Sequence, residues 1–223
     1  MSTISVIIAA YNAGETLGET LKSVLDQTVQ PDEVMVVDDG SSDNTGLIAA
    51  AFPGVKVERR PNGGPAAAWN WGLARTSGEI VAFLDADDLW PSSTLADHQH
   101  VLGLADADGS VGQVEEFVSP SLSAEAAARL VPRPRYQGWL AGATAVRRRL
   151  FDTAGSFSGS LRAGAWIDWI DRARKTGARF ETHPGLSLKR RLRSGTLGGA
   201  SATRDADLLE VARRALERRR GDR

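Results

Sequence analysis

The stretch "VAFLDADDLW", Val81 to Trp90, ends an apolar run in three carboxylates, Asp85, Asp87 and Asp88. Clustered carboxylates repel one another and are costly to desolvate. At the end of a buried strand they call for a cation or a hydroxyl-rich ligand. Asp85-x-Asp87, a D-x-D motif, offers oxygen ligands to a hard divalent cation. Such ions bind through one or two carboxylates plus substrate phosphates. The structural alternative is a cap: Asp88 could close the turn that follows. A second acidic pair, Asp38-Asp39 before Gly40, ends another apolar run. One carboxylate there can accept hydrogen bonds from a base edge or ribose, while the other closes an Asx turn with Gly40 at positive φ.

These side chains need elements that bring them together. "ISVIIAA", Ile4 to Ala10, is β-branched and apolar and stops at Tyr11-Asn12, as a buried strand does. Leu17, Leu21, Val24 and Leu25 share one face of a helix over Glu15–Gln27. "EVMVVDD" reads as the second strand, and Asp43 as the N-cap of a helix through Phe52. "VKVERR" is a third strand, "NGGPAAAWNWGLAR" a glycine turn opening a helix, and "GEIVAFLD" the fourth strand. Strand and helix alternate over the first ~90 residues, which predicts a mostly parallel sheet with helices on both faces. Ligands of such sheets bind at the carboxyl ends of the strands, where the polar clusters at Tyr11-Asn12, Asp38-Asp39, Asn62-Gly63-Gly64 and Asp85–Asp88 all fall.

The second half is less regular. It reads as a helix over Ser92–Leu104, an edge strand in "SVGQVEEFVSP", a helix over Trp166–Thr176 closed by Gly177, and a basic strand or loop in "LSLKRRLRSG". Leu208, Ala212, Ala215 and Leu216 line one face of a charged C-terminal helix. His98, His100 and His183 show no metal-ligand spacing and read as surface or loop residues. The expectation is one domain over 1–223 with two functional halves, 1–90 and 91–223.

Composition narrows the class. The 223 residues carry a net charge of -1, so no global field favours nucleic acid or a membrane surface. Without cysteine there are no disulfides and no cysteine-ligated zinc. "MSTISVIIAAYN" lacks a basic n-region, and no apolar run approaches a ~20-residue membrane span. The expected location is cytoplasmic, with any membrane work peripheral or through a partner. Neither "AAYNAGET" nor the Asn62 turn matches G-x-G-x-x-G or the P-loop, which argues against a nicotinamide or P-loop site.

In order and spacing, "SVIIAAYNAGETLGETLKSVLDQT", "DEVMVVDDGSSDNT" and "NGGPAAAWNWGLARTSGEIVAFLDADD" resemble the family 2 glycosyltransferases of the GT-A fold. The resemblance is close over about the first 90 residues. It implies an α/β, Rossmann-like, mostly parallel sheet and inverting transfer from a nucleotide-diphosphate sugar, a UDP-sugar first, with Mn2+ or Mg2+. By position, Ala10 and Tyr11 would line the base, Asp39 would hydrogen-bond it, Asp85 would contact the ribose and Asp87 would bind the metal. Lys189, Arg190, Arg191 and Arg193 could add cations over the diphosphate.

The chain also departs from the family pattern. In "RAGAWIDWIDRARKTG", Ala165-Trp166 replaces the usual acidic pair, leaving Asp168 as the candidate general base and a helix-dipole residue as its alternative. Trp69 stands where arginine is common, either in the core or against ligand. Arg193 replaces the usual His, and Thr196 the usual Asn. These departures motivate a second reading, a catalytically impaired member acting as a sugar-nucleotide or partner-binding module. A nucleotidyltransferase would want a basic glycine loop after the first strand, and "AAYNAGET" has no basic residue. The acceptor, whether saccharide, lipid, small molecule or peptide, has no readable code.

Overall fold

Apolar alternation along each strand decides which face it buries. The computed structural model describes residues 2–104, 106–161, 163–193 and 209–214. The four apolar runs form β1 (Ile4–Ala10), β2 (Glu33–Asp38), β3 (Val55–Arg59) and β4 (Ile80–Asp85). Between them lie α1 (Leu17–Leu25), α2 (Thr45–Ala50) and α3 (Pro65–Leu73). These strands pair in parallel in the order β3-β2-β1-β4. Side chains of a strand alternate between faces. Val6, Ile8 and Leu84 therefore join Leu17, Leu21 and Val24 of α1 in one core, while Ile7, Val81 and Phe83 face α3 in another.

The second half extends the same sheet. It contains α4 (Thr94–Leu104), β5 (Gly109–Val118), α5 (Ala124–Ala127), β6 (Tyr136–Gln137), β7 (Thr144–Arg147), α6 (Leu150–Ala154), α7 (Ala165–Lys175) and β8 (Phe180–Leu192). The full order is β3-β2-β1-β4-β7-β5-β6, with β8 parallel to β5. β7 runs antiparallel to both β4 and β5, so it joins the two halves into one sheet.

Two expectations need correction here, and one alternative is decided. The segment "SVGQVEEFVSP" is not an edge strand, because β5 has β7 and β6 on one side and β8 on the other. Gly112 admits this crowding: a Cβ there would collide with the Ser187 side chain. Of its two readings, Trp69 takes the core. It packs among Phe83, Phe157 and Trp166 with ring centroids 5.7, 5.2 and 6.4 Å away. The tilted and edge-on arrangements are those that ring quadrupoles favour. His98 and His183 are neither surface nor loop residues. Both are buried, on α4 and β8, with His183 Nε2 3.3 Å from His98 Nδ1 and the latter 3.0 Å from Ser110 Oγ.

Of the expected C-terminal helix, Leu208, Ala215 and Leu216 lie outside the described residues. Within 209–214, Val211 is buried against the α7 core, while Ala212 is exposed. No helix among the described residues is long and apolar enough to cross a membrane. A cavity of about 470 Å³ opens at the amino ends of the strands, beside Ser2, Ile80, His100 and Arg147, away from the carboxylates of β4.

The histidine pair makes stability depend on pH. Burial, and then the neighbouring His183, push the His98 pKa down from 6.5 to about 3. The folded value lies below the unfolded one, so the unfolded chain binds more protons between the two. The stabilisation is therefore complete above ~pH 6.5 and drains away as pH falls toward 3. The Tm of the protein should drop between about pH 6.5 and pH 4, and His98→Gln should flatten that slope. Equal slopes in the two proteins would remove His98 as the titrating group.

Candidate active site

Strand register brings the candidate residues to one sheet edge. Ala10 lies opposite Asp38, Ala9 opposite Asp85, and Asp38 opposite Arg59. The loops beyond these strand ends are tied to one another. Asn12, at φ +48°, donates its amide to Ser41 Oγ at 3.0 Å and accepts from Ser42 N at 2.8 Å. Ala13 N donates to Thr45 Oγ1 at 2.8 Å, and Gly14 N to Asp43 at 2.9 Å. Asp43 also accepts from Thr45 N at 3.0 Å, although Asn44, not Asp43, occupies the cap position of α2. This lacing leaves the Tyr11 ring 55% exposed beside the Asp38–Asp39 corner.

The two aspartates of that corner divide their work. Asp38 Oδ1 accepts Ser41 N at 2.8 Å, the Asx turn expected of one of them, and Gly40 adopts φ +82°. Asp39 reaches across to the third turn. Its carboxylate accepts Gly63 N at 3.1 Å and Gly64 N at 2.7 Å and pairs with Arg60. Asn62 Nδ2 donates to the Asp39 carbonyl at 2.9 Å. Gly64 sits at φ +85°, a conformation that favours glycine, and a Cβ on Gly63 would lie 2.7 Å from the Arg60 guanidinium and push it from its place on Asp39. Asp39 thus organises the Asn62–Gly64 turn, and a nucleobase would share its carboxylate with these donors.

Threonines of the first helix position the β4 carboxylates. Thr16 and Thr20 hydroxyls donate to the Ala86 carbonyl at 2.9 and 3.0 Å, and Thr20 also to the Asp88 carbonyl at 2.9 Å. Asp85 lies open to solvent but walled by protein. Burial, then Asp87, raise its pKa from 3.8 to about 6, against the pull of Arg190 and Arg193. Asp88 is buried and pushed well above the usual carboxylate range by burial and by its two acidic neighbours. It does not cap the next helix; its Oδ1 accepts Arg191 N at 2.8 Å.

The basic end of β8 answers these charges, with each residue employed differently. Arg193 pairs with Asp87 at 2.8 Å. Arg190 is held by Glu116 at 3.3 Å, within a network that adds Arg133 at 2.7 Å and the Tyr136 hydroxyl at 3.2 Å. Burial would raise the Glu116 pKa, but Arg133 and the Tyr136 hydroxyl hold it down at about 2. Arg191 is not available to a diphosphate. It is 3% exposed, donates to the Asp87 carbonyl at 2.7 Å, and pairs with Glu19 at 2.5 Å. Lys189 bridges by backbone to Leu89 and is exposed.

Asp168 does not join this cluster. It lies in the first turn of α7, 1% exposed, with Arg172 Nε 3.0 Å from its carboxylate. Arg172 in turn donates to the carbonyls of Ala154 and Ser156. A general base must reach the proton it removes. Asp168 therefore has a packing role through Arg172, which ties α7 to the α6 exit. Ala165 and Trp166, at the start of the same helix, are buried and bring no carboxylate.

The expected Mn2+ or Mg2+ meets a donor set that suits it poorly. Asp87 already carries a guanidinium, and arginine has no lone pair to give. Among the described residues no group of three or more His, Cys, Asp and Glu side chains is arranged to hold a metal ion. Sequence reading missed Arg60, Glu116, Thr16 and Thr20. Only Arg60 had a local signal, as a cation two residues before the Asn62-Gly63-Gly64 turn.

A mostly parallel sheet with helices on both faces is the architecture of the GT-A type. The profile of glycosyl transferase family 2 matches residues 5–160, so the chain belongs to that family. An uncharacterized glycosyltransferase of Nostoc sp. is 41% identical over 111 residues, 48% of this chain and 34% of that protein. The Escherichia coli UDP-Glc:alpha-D-GlcNAc-diphosphoundecaprenol beta-1,3-glucosyltransferase WfgD is 39% identical over 95 residues, 41% of this chain and 38% of its own. The chain thus spans well under half the length of these relatives. A crystal structure of S. aureus TarS with UDP-GlcNAc superposes with a TM-score of 0.77 at 22% identity, covering 96% of this chain and 65% of that one. That likeness is one of fold.

If the Asp168–Arg172 pair is structural, Asp168→Ala and Arg172→Ala should each lower the Tm. The double variant should then cost less than the sum of the two, by about 0.5–3 kcal/mol. Strict additivity in denaturant titrations would dissolve the pair as the reason for Asp168.

Proposed function

We propose that this chain binds a nucleoside-diphosphate sugar, a UDP-sugar first, and transfers the sugar with inversion to a nucleophile on a saccharide, lipid, small molecule or peptide. The observation that carries this is the register of Ala10, Asp38 and Asp85 at one sheet edge. It gathers an exposed aromatic ring, a carboxylate set in backbone N–H groups, and an acidic cluster facing arginines. The name of WfgD specifies a UDP-glucose donor, and TarS was crystallised with UDP-GlcNAc; both favour uridine.

Tyr11, with Ala10 beneath it, forms the platform for the base, and Asp39 accepts the N–H of its edge. Asp85 accepts from the ribose hydroxyls. Asp87, with its arginine partner, faces the diphosphate. In the transfer, the acceptor oxygen bonds to the anomeric carbon as the bond from that carbon to the diphosphate oxygen breaks. The electron pair leaves on the nucleoside diphosphate, and the acceptor's proton passes to solvent or to a base. Preorganised cations at the diphosphate are worth most here, because negative charge grows there. A second reading, a donor-binding module without efficient transfer, is favoured by one fact: the start of α7 presents only buried Ala165, Trp166 and an arginine-paired Asp168.

A thermal-shift panel of UDP-, GDP- and dTDP-sugars tests the donor site. Ligand at ~100 times its dissociation constant stabilises by about 2.7 kcal/mol, roughly 5–10 °C for a domain of this size. UDP-sugars should give that shift, and Tyr11→Ala should weaken UDP binding about tenfold, the worth of one stacked base, with the unliganded Tm unchanged. No shift with any nucleotide would end the donor reading.

A further inference from the structure

The acidic end of β4 carries its own cation. Arg193, the last described residue of the β8 segment, places a guanidinium nitrogen 2.8 Å from the Asp87 carboxylate. Its side chain remains 39% accessible, whereas that of Asp87 is 16% accessible. The arginine of the pair is thus the more accessible partner. A guanidinium has five N–H donors in a planar fork, so one edge can hold a carboxylate while another faces a phosphate. Arg190 stands beside it, oriented by Glu116, whose carboxylate also holds Arg133 and Tyr136. Lys189 and Arg191 are turned to other work.

A divalent ion at Asp87 would have to share the carboxylate with Arg193, which already sits on one of its oxygens, and would gain no ligand from that side chain. Its remaining ligands would be water and phosphate, and the guanidinium's unit charge would repel it from close range. A diphosphate meets the opposite situation, since the two exposed arginines present charge-assisted donors where the carboxylates alone would repel it.

We propose that Arg193, seated on Asp87, is the cation that receives the donor's diphosphate, and that donor binding by this chain needs no divalent metal. The proposal rests on the donor site described above and assigns the charge within it.

Isothermal titration with UDP as the probe, in Mn2+ and in EDTA, tests it on the protein, on Arg193→Met and on Arg193→His. The wild-type dissociation constant should agree within about twofold between Mn2+ and EDTA. Arg193→Met should raise it about tenfold or more in both buffers, the scale of one charge-assisted hydrogen bond. Arg193→His should bind weakly in EDTA and recover in Mn2+, because an imidazole can ligate a metal where a guanidinium cannot. Unliganded melting curves, expected to stay cooperative in all three proteins with a somewhat lower Tm where Asp87 loses its partner in Arg193→Met, separate this from loss of fold. Wild-type binding that requires Mn2+ would overturn the proposal and leave the donor site standing. An Arg193→Met protein that binds UDP as tightly as wild type would overturn it as well. No UDP binding in either buffer would remove the donor reading and the proposal together.

Discussion

Mutual repulsion among the carboxylates of the β4 terminus is the constraint around which the second half of the chain is arranged. Asp85, Asp87 and Asp88 fall within four residues, and the buried Asp88 is pushed well above the usual carboxylate range by burial and by its two acidic neighbours. Such a cluster is tolerable only where cations and N–H groups are brought to it. β8 does this by running parallel to β5 for thirteen residues and delivering three arginines at its end. Arg191 closes the cluster from beneath and ties it to Glu19 on α1, while Arg190 and Arg193 stay at the open side. The internal position of β5 follows from the same demand. Only a strand flanked on both sides can align β8 with the loop after β4 while joining the sheet through β7.

A similar logic runs through the nucleotide half. Asp39 is nearly inaccessible, and it is neutralised by Arg60 and two backbone amides rather than by solvent. The glycine turn after β3 is therefore held from β2, and its conformation does not depend on ligand. The first two loops are laced by Asn12, Ser41, Thr45 and Asp43, and Tyr11 is the large apolar side chain they leave exposed. A rigid frame with one projecting ring lowers the ordering cost of binding a flat base.

The parallel half was legible because its signals are local. Four apolar runs with polar ends, separated by helical periodicity, specify the sheet edge on which Tyr11, Asp39, Asp85 and Asp87 stand. The Asx turn at Asp38 and the glycine turn at Gly63-Gly64 were also written in adjacent residues. What sequence could not reveal is long-range pairing. Arg60 meets Asp39 across 21 residues, and Glu19 meets Arg191 across 172. His98 and His183 are 85 residues apart and become neighbours only because α4 packs on β8. β5 was misjudged for a related reason: its mixed "SVGQVEEF" pattern looks half-exposed until Gly109 and Gly112 are seen to admit Phe180 and Ser187.

The departures from the family pattern at positions 165 and 193 differ in kind. At the start of α7, alanine and tryptophan have been drawn into an aromatic core with Phe157 and Trp169, and the nearest carboxylate, Asp168, is committed to Arg172. That helix start is given over to packing. At position 193 the departure is of another kind, because a permanent charge is seated on the Asp87 carboxylate. An arginine does not lose its proton near neutral pH. One departure thus fills a core, whereas the other sets a fixed cation against the acidic end of β4.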